Sequence, residues 1–305
     1  MSQNLTTANL SLSSDVEPKT YVCFKTWDMI ILAMNTISLF INTFHLAILL
    51  RLESLRSTKY RHVLINITLA DIVNVIGISS FYSCYDRSLD NYIGEELSPR
   101  LPFTTFIIHF TYISYPVFLV ASVEKYLAIC KPYSYRSSII VKRLPLVFAM
   151  TWFFVFLISA SFTVVLSMST APWVTGWQFR VLEKMVVAVL PNTLTVVLLT
   201  NIGRELKRIQ SQSATVTDDG KEKKAAVYLI IIFIMEMIVF LLHTACITVL
   251  FITGSSIVCH IWSSAIKAPH TILNTVIYGW RTKAYQQHVR KVFGCKPSQV
   301  RNAGR

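Results

Sequence analysis

Seven long apolar blocks decide what this chain can fold into. They run over Met29–Leu50, His62–Tyr85, Leu101–Cys130, Leu144–Met168, Val181–Ile202, Ala225–Thr253 and Ser256–Trp280. Each is long enough for a membrane span, which takes roughly 20 residues at ~1.5 Å rise to cross ~30 Å of hydrocarbon. Strands of that length are not expected, and an open sheet edge in lipid leaves backbone groups unpaired. The blocks therefore predict an all-α membrane protein, a seven-transmembrane helix bundle. Composition agrees: 53% of the 305 residues are hydrophobic and 15% are charged, too little charge to cover a soluble domain.

Basic residues set the direction of the chain. With the N-terminus outside, the inner segments 51–61, 131–143, 203–224 and 281–305 hold 21 Lys and Arg, against six in the outer segments. That asymmetry predicts an extracellular N-terminus and a cytoplasmic C-terminus, in a multi-pass protein of the plasma membrane. It also accounts for the net charge of +13 through contacts with anionic headgroups, with no need for nucleic acid. Residues 1–26 are then an extracellular tail. In it Asn4-Leu5-Thr6 and Asn9-Leu10-Ser11 are N-glycosylation triplets. No apolar run precedes Met29, so the first span is expected to act as the insertion signal rather than a cleaved peptide. Residues 27–280 form the bundle and 281–305 the cytoplasmic tail. There Tyr285, Val289, Val292 and Phe293 recur at helical spacing, which predicts a short amphipathic helix on the inner membrane surface. Cys295 beyond it reads either as a palmitoylation site or as a plain free thiol.

Local motifs go further than topology. The third span ends Glu124-Lys125-Tyr126-Leu127-Ala128-Ile129-Cys130-Lys131-Pro132-Tyr133, and the seventh ends Asn274-Thr275-Val276-Ile277-Tyr278-Gly279-Trp280-Arg281-Thr282-Lys283. The first resembles the Asp-Arg-Tyr end of the third helix in rhodopsin-like (class A) G-protein-coupled receptors. The second resembles their Asn-Pro-x-x-Tyr. In both, the flanking residues resemble the odorant-receptor form most. Asn42, Leu69-Ala70-Asp71, Trp152 and Pro191 stand where that family expects them. The resemblance covers all seven spans and implies a receptor activated by a small organic ligand, chemosensory and coupled to a heterotrimeric G protein, with Glu124, Lys125, Tyr126, Asn274 and Tyr278 as the switch. It also implies a sodium pocket formed by Asn42, Asp71, Ser114, Thr271 and Asn274. Oxygen donors suit a hard cation; the other reading of Asp71 is a hydrogen-bonded carboxyl with no ion.

The departures carry information as well. Lys125 stands where the family has Arg; it keeps the charge but loses the planar fork of donors, and Glu124 with Lys125 also reads as a snorkelling interfacial pair. Thr275 stands where the family has Pro, which removes a kink. The sixth span has neither Trp nor Pro, and Phe240 is the ring nearest that level. Glu236 and Lys267 lie at matched depth in sequential spans, which suggests an intramembrane ion pair; the alternative is that each finds its own partner. Lys267 is seven residues before Asn274, not the six of the retinal-binding opsins. Ile107 occupies the position where amine receptors have Asp, so amines are disfavoured.

An apolar, aromatic cavity lined by Ile107, Ile108, Thr111, Tyr112, Phe240, His243, Thr244 and Lys267 would take a small organic molecule. Outside, Cys23, Cys84 and Cys259 allow one disulfide, Cys23–Cys84 or Cys23–Cys259. No metal cluster and no nucleophile–base spacing stands out, so neither an enzyme nor a cofactor beyond that sodium ion is expected. A divergent peptide or lipid receptor and a non-signalling receptor are the nearest alternatives. A transporter or channel, from another class, lacks the inverted repeat and the broken helices it needs.

Overall fold

In the computed structural model of the protein the described residues are 18–51, 59–89, 106–107, 109–168, 182, 184–212, 227, 230–235, 237–242, 245, 269–277 and 283–292; at several helix ends the backbone alone is described. Among these residues there is no strand. The main helices are α1 (Pro18–Arg51), α2 (Lys59–Leu89), α3 (Ser114–Cys130), α4 (Pro132–Tyr135), α5 (Ile139–Lys142), α6 (Leu144–Met168), α7 (Leu190–Gln212) and α8 (Lys283–Val292). A shorter apolar helix covers Ile230–Leu242, and residues 269–277 are helical. Five helices are long and apolar enough to cross a membrane: Met29–Arg51, Arg61–Ser80, Thr111–Cys130, Leu144–Val165 and Met185–Ile209.

The distribution of side chains is that of a protein solvated by lipid. Phe40, Met150, Phe153, Phe154, Leu190 and Val197 are all more than half exposed, while Asn35, Ser38, Asn42, His45, Asp71 and Asn274 are buried. An apolar surface of that extent in water would be an aggregation hazard. The hydroxyls of Thr36, Thr68, Thr151, Thr163, Thr193, Thr195 and Thr200 each donate to the carbonyl four residues back, which satisfies them where no water is available.

Two helices extend beyond their apolar blocks. α1 starts at Pro18, so the chain is already helical inside the segment expected as a tail over 1–26. Proline suits a first helical position, because its φ is preset and its missing N–H has no partner there anyway. α7 runs on to Gln212, into the expected loop at 203–224, helped by Arg208 Nη2 donating to Glu205 Oε1 at 2.7 Å one turn away. The α6 bounds coincide with the fourth block.

Prolines explain the irregular turns. A proline ring clashes with the carbonyl four residues back. For Pro116 that residue is Tyr112, inside the 3₁₀ turn Thr111–Ile113. For Pro191 it is Val187, inside the π turn Met185–Val189. Each helix changes pitch where the ring would otherwise collide.

α3 is the central post, packed against α2, α6 and α7. Val117, Phe118 and Ala121 meet Leu64 and Ile67 of α2, Phe148 and Val155 of α6, and Leu199 and Ile202 of α7 in one core. Polar ties add direction. Trp152 Nε1 donates to Asn66 Oδ1 at 2.9 Å, joining α6 to α2. Arg61 Nε and Nη2 donate to the carbonyls of Leu49 and Leu50, both at 2.9 Å. These are orphan carbonyls at the C-terminus of α1, where a cation also answers the helix dipole.

Candidate functional site

The polar residues foreseen from the sequence meet in the middle of the bundle. Asn274 Nδ2 donates to Asp71 Oδ2 at 3.3 Å, tying the 269–277 helix to α2. Thr275 Oγ1 donates to Asn42 Oδ1 at 2.7 Å. Asn42 Nδ2 in turn donates to the Ser38 carbonyl at 2.9 Å and to Ser38 Oγ at 3.3 Å. Ser38 and Thr271 share a hydroxyl–hydroxyl bond. Ser38, Asn42, Asp71, Thr271, Asn274 and Thr275 are all buried. Interhelical hydrogen bonds in lipid are worth about 0.6–2 kcal/mol each, so several of them together hold α1, α2 and the 269–277 helix in register. The register itself is informative: 38–271 and 42–275 have the same offset of 233, so the two helices run parallel.

Asn42, Asp71, Thr271 and Asn274 were expected here; Ser38 and Thr275 were not. Thr275 does more than remove a proline: its hydroxyl supplies the bond that Asn42 accepts. Ser114 and Thr271 border a small cavity with Asn74, Thr111, Tyr112, Tyr115, Val239 and His270. Its free volume of ≈ 10 Å³ is room for about one water or an ion of similar size. Oxygen donors suit a small hard cation, and the expected set has Asp71 as its one carboxylate. Asp71 is not among the residues that border the cavity and accepts from Asn274, Asn42 Oδ1 accepts from Thr275 and Ser38 is bonded to Thr271, so the residues as placed do not form a cation site around that space.

That cavity differs from the one expected for an organic ligand. Thr111 and Tyr112 line it, but Ile107 and Phe240 do not. Ile107 packs over Gly77 of α2, and Phe240 sits edge-on to Tyr115 with ring centroids 5.3 Å apart. Ile108, His243, Thr244 and Lys267 lie outside the described residues, as do Glu236, Tyr278, Asn4, Asn9, Cys259 and Cys295 and the side chains of Cys23 and Cys84. Among the described residues no three His, Cys, Asp or Glu gather as a metal site.

The second polar place is the C-terminal end of α3. Lys125 Nζ lies 3.1 Å from Glu124 Oε2, and both side chains are almost completely buried. Tyr135, at the end of α4, donates its hydroxyl to Glu124 Oε1 at 2.7 Å. Pro132 begins α4 and folds the chain back beneath α3, which brings Tyr135 within reach. The lysine is thus paired with its own neighbour, and burial removes the simple snorkelling reading, in which the charged head stands in water. Tyr126 is partly buried in the α3 core. Beside this pair the α3–α6 connection exposes Tyr133 (98%) and Ile139 (74%).

No family model matches the chain, and no curated protein matches it. Its reading therefore rests on its own residues.

Proposed function

We propose that the chain is a rhodopsin-like G-protein-coupled receptor, nearest the odorant group, that crosses the plasma membrane seven times with its N-terminus outside. One observation carries this reading. Asn42, Asp71 and Asn274, picked out by motif from three separate spans, belong to one buried cluster of polar contacts, with Asn274 on Asp71 and Thr275 on Asn42. The parallel register of α1 with the 269–277 helix supports it too, since a first and a seventh span must run the same way.

On this reading a small organic molecule enters from outside and biases the outer halves of the spans. The inner mouth then opens around Glu124, Lys125 and Tyr126 to a heterotrimeric G protein. The exposed Tyr133 and Ile139 suit a protein contact at that mouth. A receptor that binds without signalling is the second reading. It is favoured by Lys125, which stands on Glu124 instead of offering a free fork of donors.

The test is G-protein activation in cells expressing the chain, over a panel of small odorants, with wild type beside Lys125→Ala and Lys125→Arg. Signal lost in Ala and kept or raised in Arg supports the proposal. Surface-expressed protein that never signals, with no basal activity added by Arg, overturns it in favour of a non-signalling receptor or a transporter.

A further inference from the structure

α1 buries a polar stripe. Asn35, Ser38, Asn42 and His45 follow one another at spacings of three, four and three, which keeps them on one helix face, and each is at most 1% exposed. Yet α1 is a peripheral span, with only 28% of its apolar window buried. The face it turns inward is thus largely polar, with Ile31, Ile48 and Leu49 buried at its two ends, and hydrogen bonds tie that face to the 269–277 helix. Three rungs are occupied: Ser38 with Thr271, Asn42 with Thr275, and His45 with Tyr285.

The last rung carries the ladder off the span and onto α8. His45 Nδ1 and the Tyr285 hydroxyl share a hydrogen bond at 2.9 Å, with the rings 5.1 Å apart. The apolar support around it is small: Ile48 and Tyr285, with Phe44 and Val289 packed against them. α8 itself has ten residues, with a basic and amide-rich remainder. A free helix that short does not hold together in water. Its order depends on what it docks against, and among the described residues the contact with α1 includes the His45–Tyr285 rung and the packing of Phe44 and Val289 on Ile48 and Tyr285.

We infer that the 269–277 helix and α8 are latched to α1 as one unit by this ladder, and that the Thr275–Asn42 and Tyr285–His45 rungs part together. Thr275 occupies the middle rung, so loss of its hydroxyl leaves the Asn42 carbonyl buried without a donor and loosens its neighbours on both sides.

The measurement is amide hydrogen exchange of the full chain in lipid nanodiscs, comparing wild type with Thr275→Val, Thr275→Ser and Tyr285→Phe. Exchange in α2, α3 and α6 reports whether each variant is folded. The latch predicts at least tenfold faster exchange over 283–292 in both Thr275→Val and Tyr285→Phe, with Thr275→Ser close to wild type. Acceleration in Tyr285→Phe alone means independent rungs and overturns the inference, and so does no change in either. A second arm rests on the receptor reading: Thr275→Val should also raise basal nucleotide exchange on the G protein. Fast α8 exchange without that rise would leave the latch standing and count against the receptor.

Discussion

α2 and the third span come close together at Gly77. A Cβ added there would stand 2.2 Å from Thr111 Cγ2, 3.3 Å from Ile107 Cγ2 and 3.4 Å from the Ile107 carbonyl. Ordinary carbon contacts are ~3.5–4.0 Å, so Thr111 must give way by more than an ångström. Thr111 is buried, sits in a turn bent by Pro116, and borders a cavity of only water size. Overpacking of this kind costs about 1–3 kcal/mol. Replacing a helix-interior glycine by alanine returns about 1 kcal/mol of backbone preference, so Gly77→Ala should destabilise by up to about 2 kcal/mol. Gly203 in α7 is the control, because its Cβ would meet nothing within 4 Å. Gly203→Ala should therefore keep the whole gain of up to about 1 kcal/mol.

The assay is thermal melting of the purified proteins in one detergent. Gly203→Ala should melt above wild type and Gly77→Ala below it. Gly77→Ala with Thr111→Ser, which deletes the colliding methyl, should recover most of the loss. A Gly77→Ala protein that melts at or above Gly203→Ala would refute the packing described between α2 and the third span.

Three other outcomes follow from single contacts. Arg61→Ala should lower the melting temperature by stripping the Leu49 and Leu50 carbonyls of their donor, a cost of about 1.5–3 kcal/mol for charge-assisted bonds; Arg61→Lys, which lacks the fork, should restore only part. Trp152→Phe should cost about 1–3 kcal/mol by leaving Asn66 Oδ1 without its donor, and Trp152→Phe with Asn66→Leu should cost less than Trp152→Phe alone. Burial pushes the Tyr285 phenol up to about 12 from the usual 10. A phenol raised on folding adds stability that is full below about 10 and is lost as pH climbs through about 12. The tyrosinate absorbance of wild type minus Tyr285→Phe should accordingly rise near 12; a midpoint near 10 would mean that Tyr285 is not held in the α1–α8 contact.

Most of the span positions were legible because hydrocarbon thickness is a one-dimensional constraint on apolar length, and Leu144–Met168 came out residue for residue. Helix outside lipid is invisible to that argument. Nothing in hydropathy says that α1 begins at Pro18 or that α7 holds on to Gln212, since capping and charge pairs decide both. The meeting of Asp71 with Asn274 followed from depth and motif. The partners of Asn42 did not, because they need the lateral register of α1 against the 269–277 helix. One signal for it does stand in the sequence: Asn35, Ser38, Asn42 and His45 form a polar stripe in an apolar helix, which demands a polar mate. Thr275 is the mate for Asn42, a role that the displaced proline does not reveal. Tyr135 reaches Glu124 through the Pro132 turn, a loop geometry that spacing alone does not fix.

The direction of the chain through the bilayer underlies the proposed receptor, and it can be read directly. Intact cells expressing the chain with an epitope at each end can be stained before and after permeabilisation, with Asn4→Gln/Asn9→Gln beside wild type. The N-terminal epitope should stain on intact cells and the C-terminal one only after permeabilisation. A glycosidase-sensitive mass shift should vanish in the double variant. Both epitopes on the same side of the membrane would contradict a bundle whose first and seventh spans run parallel, and with it the receptor.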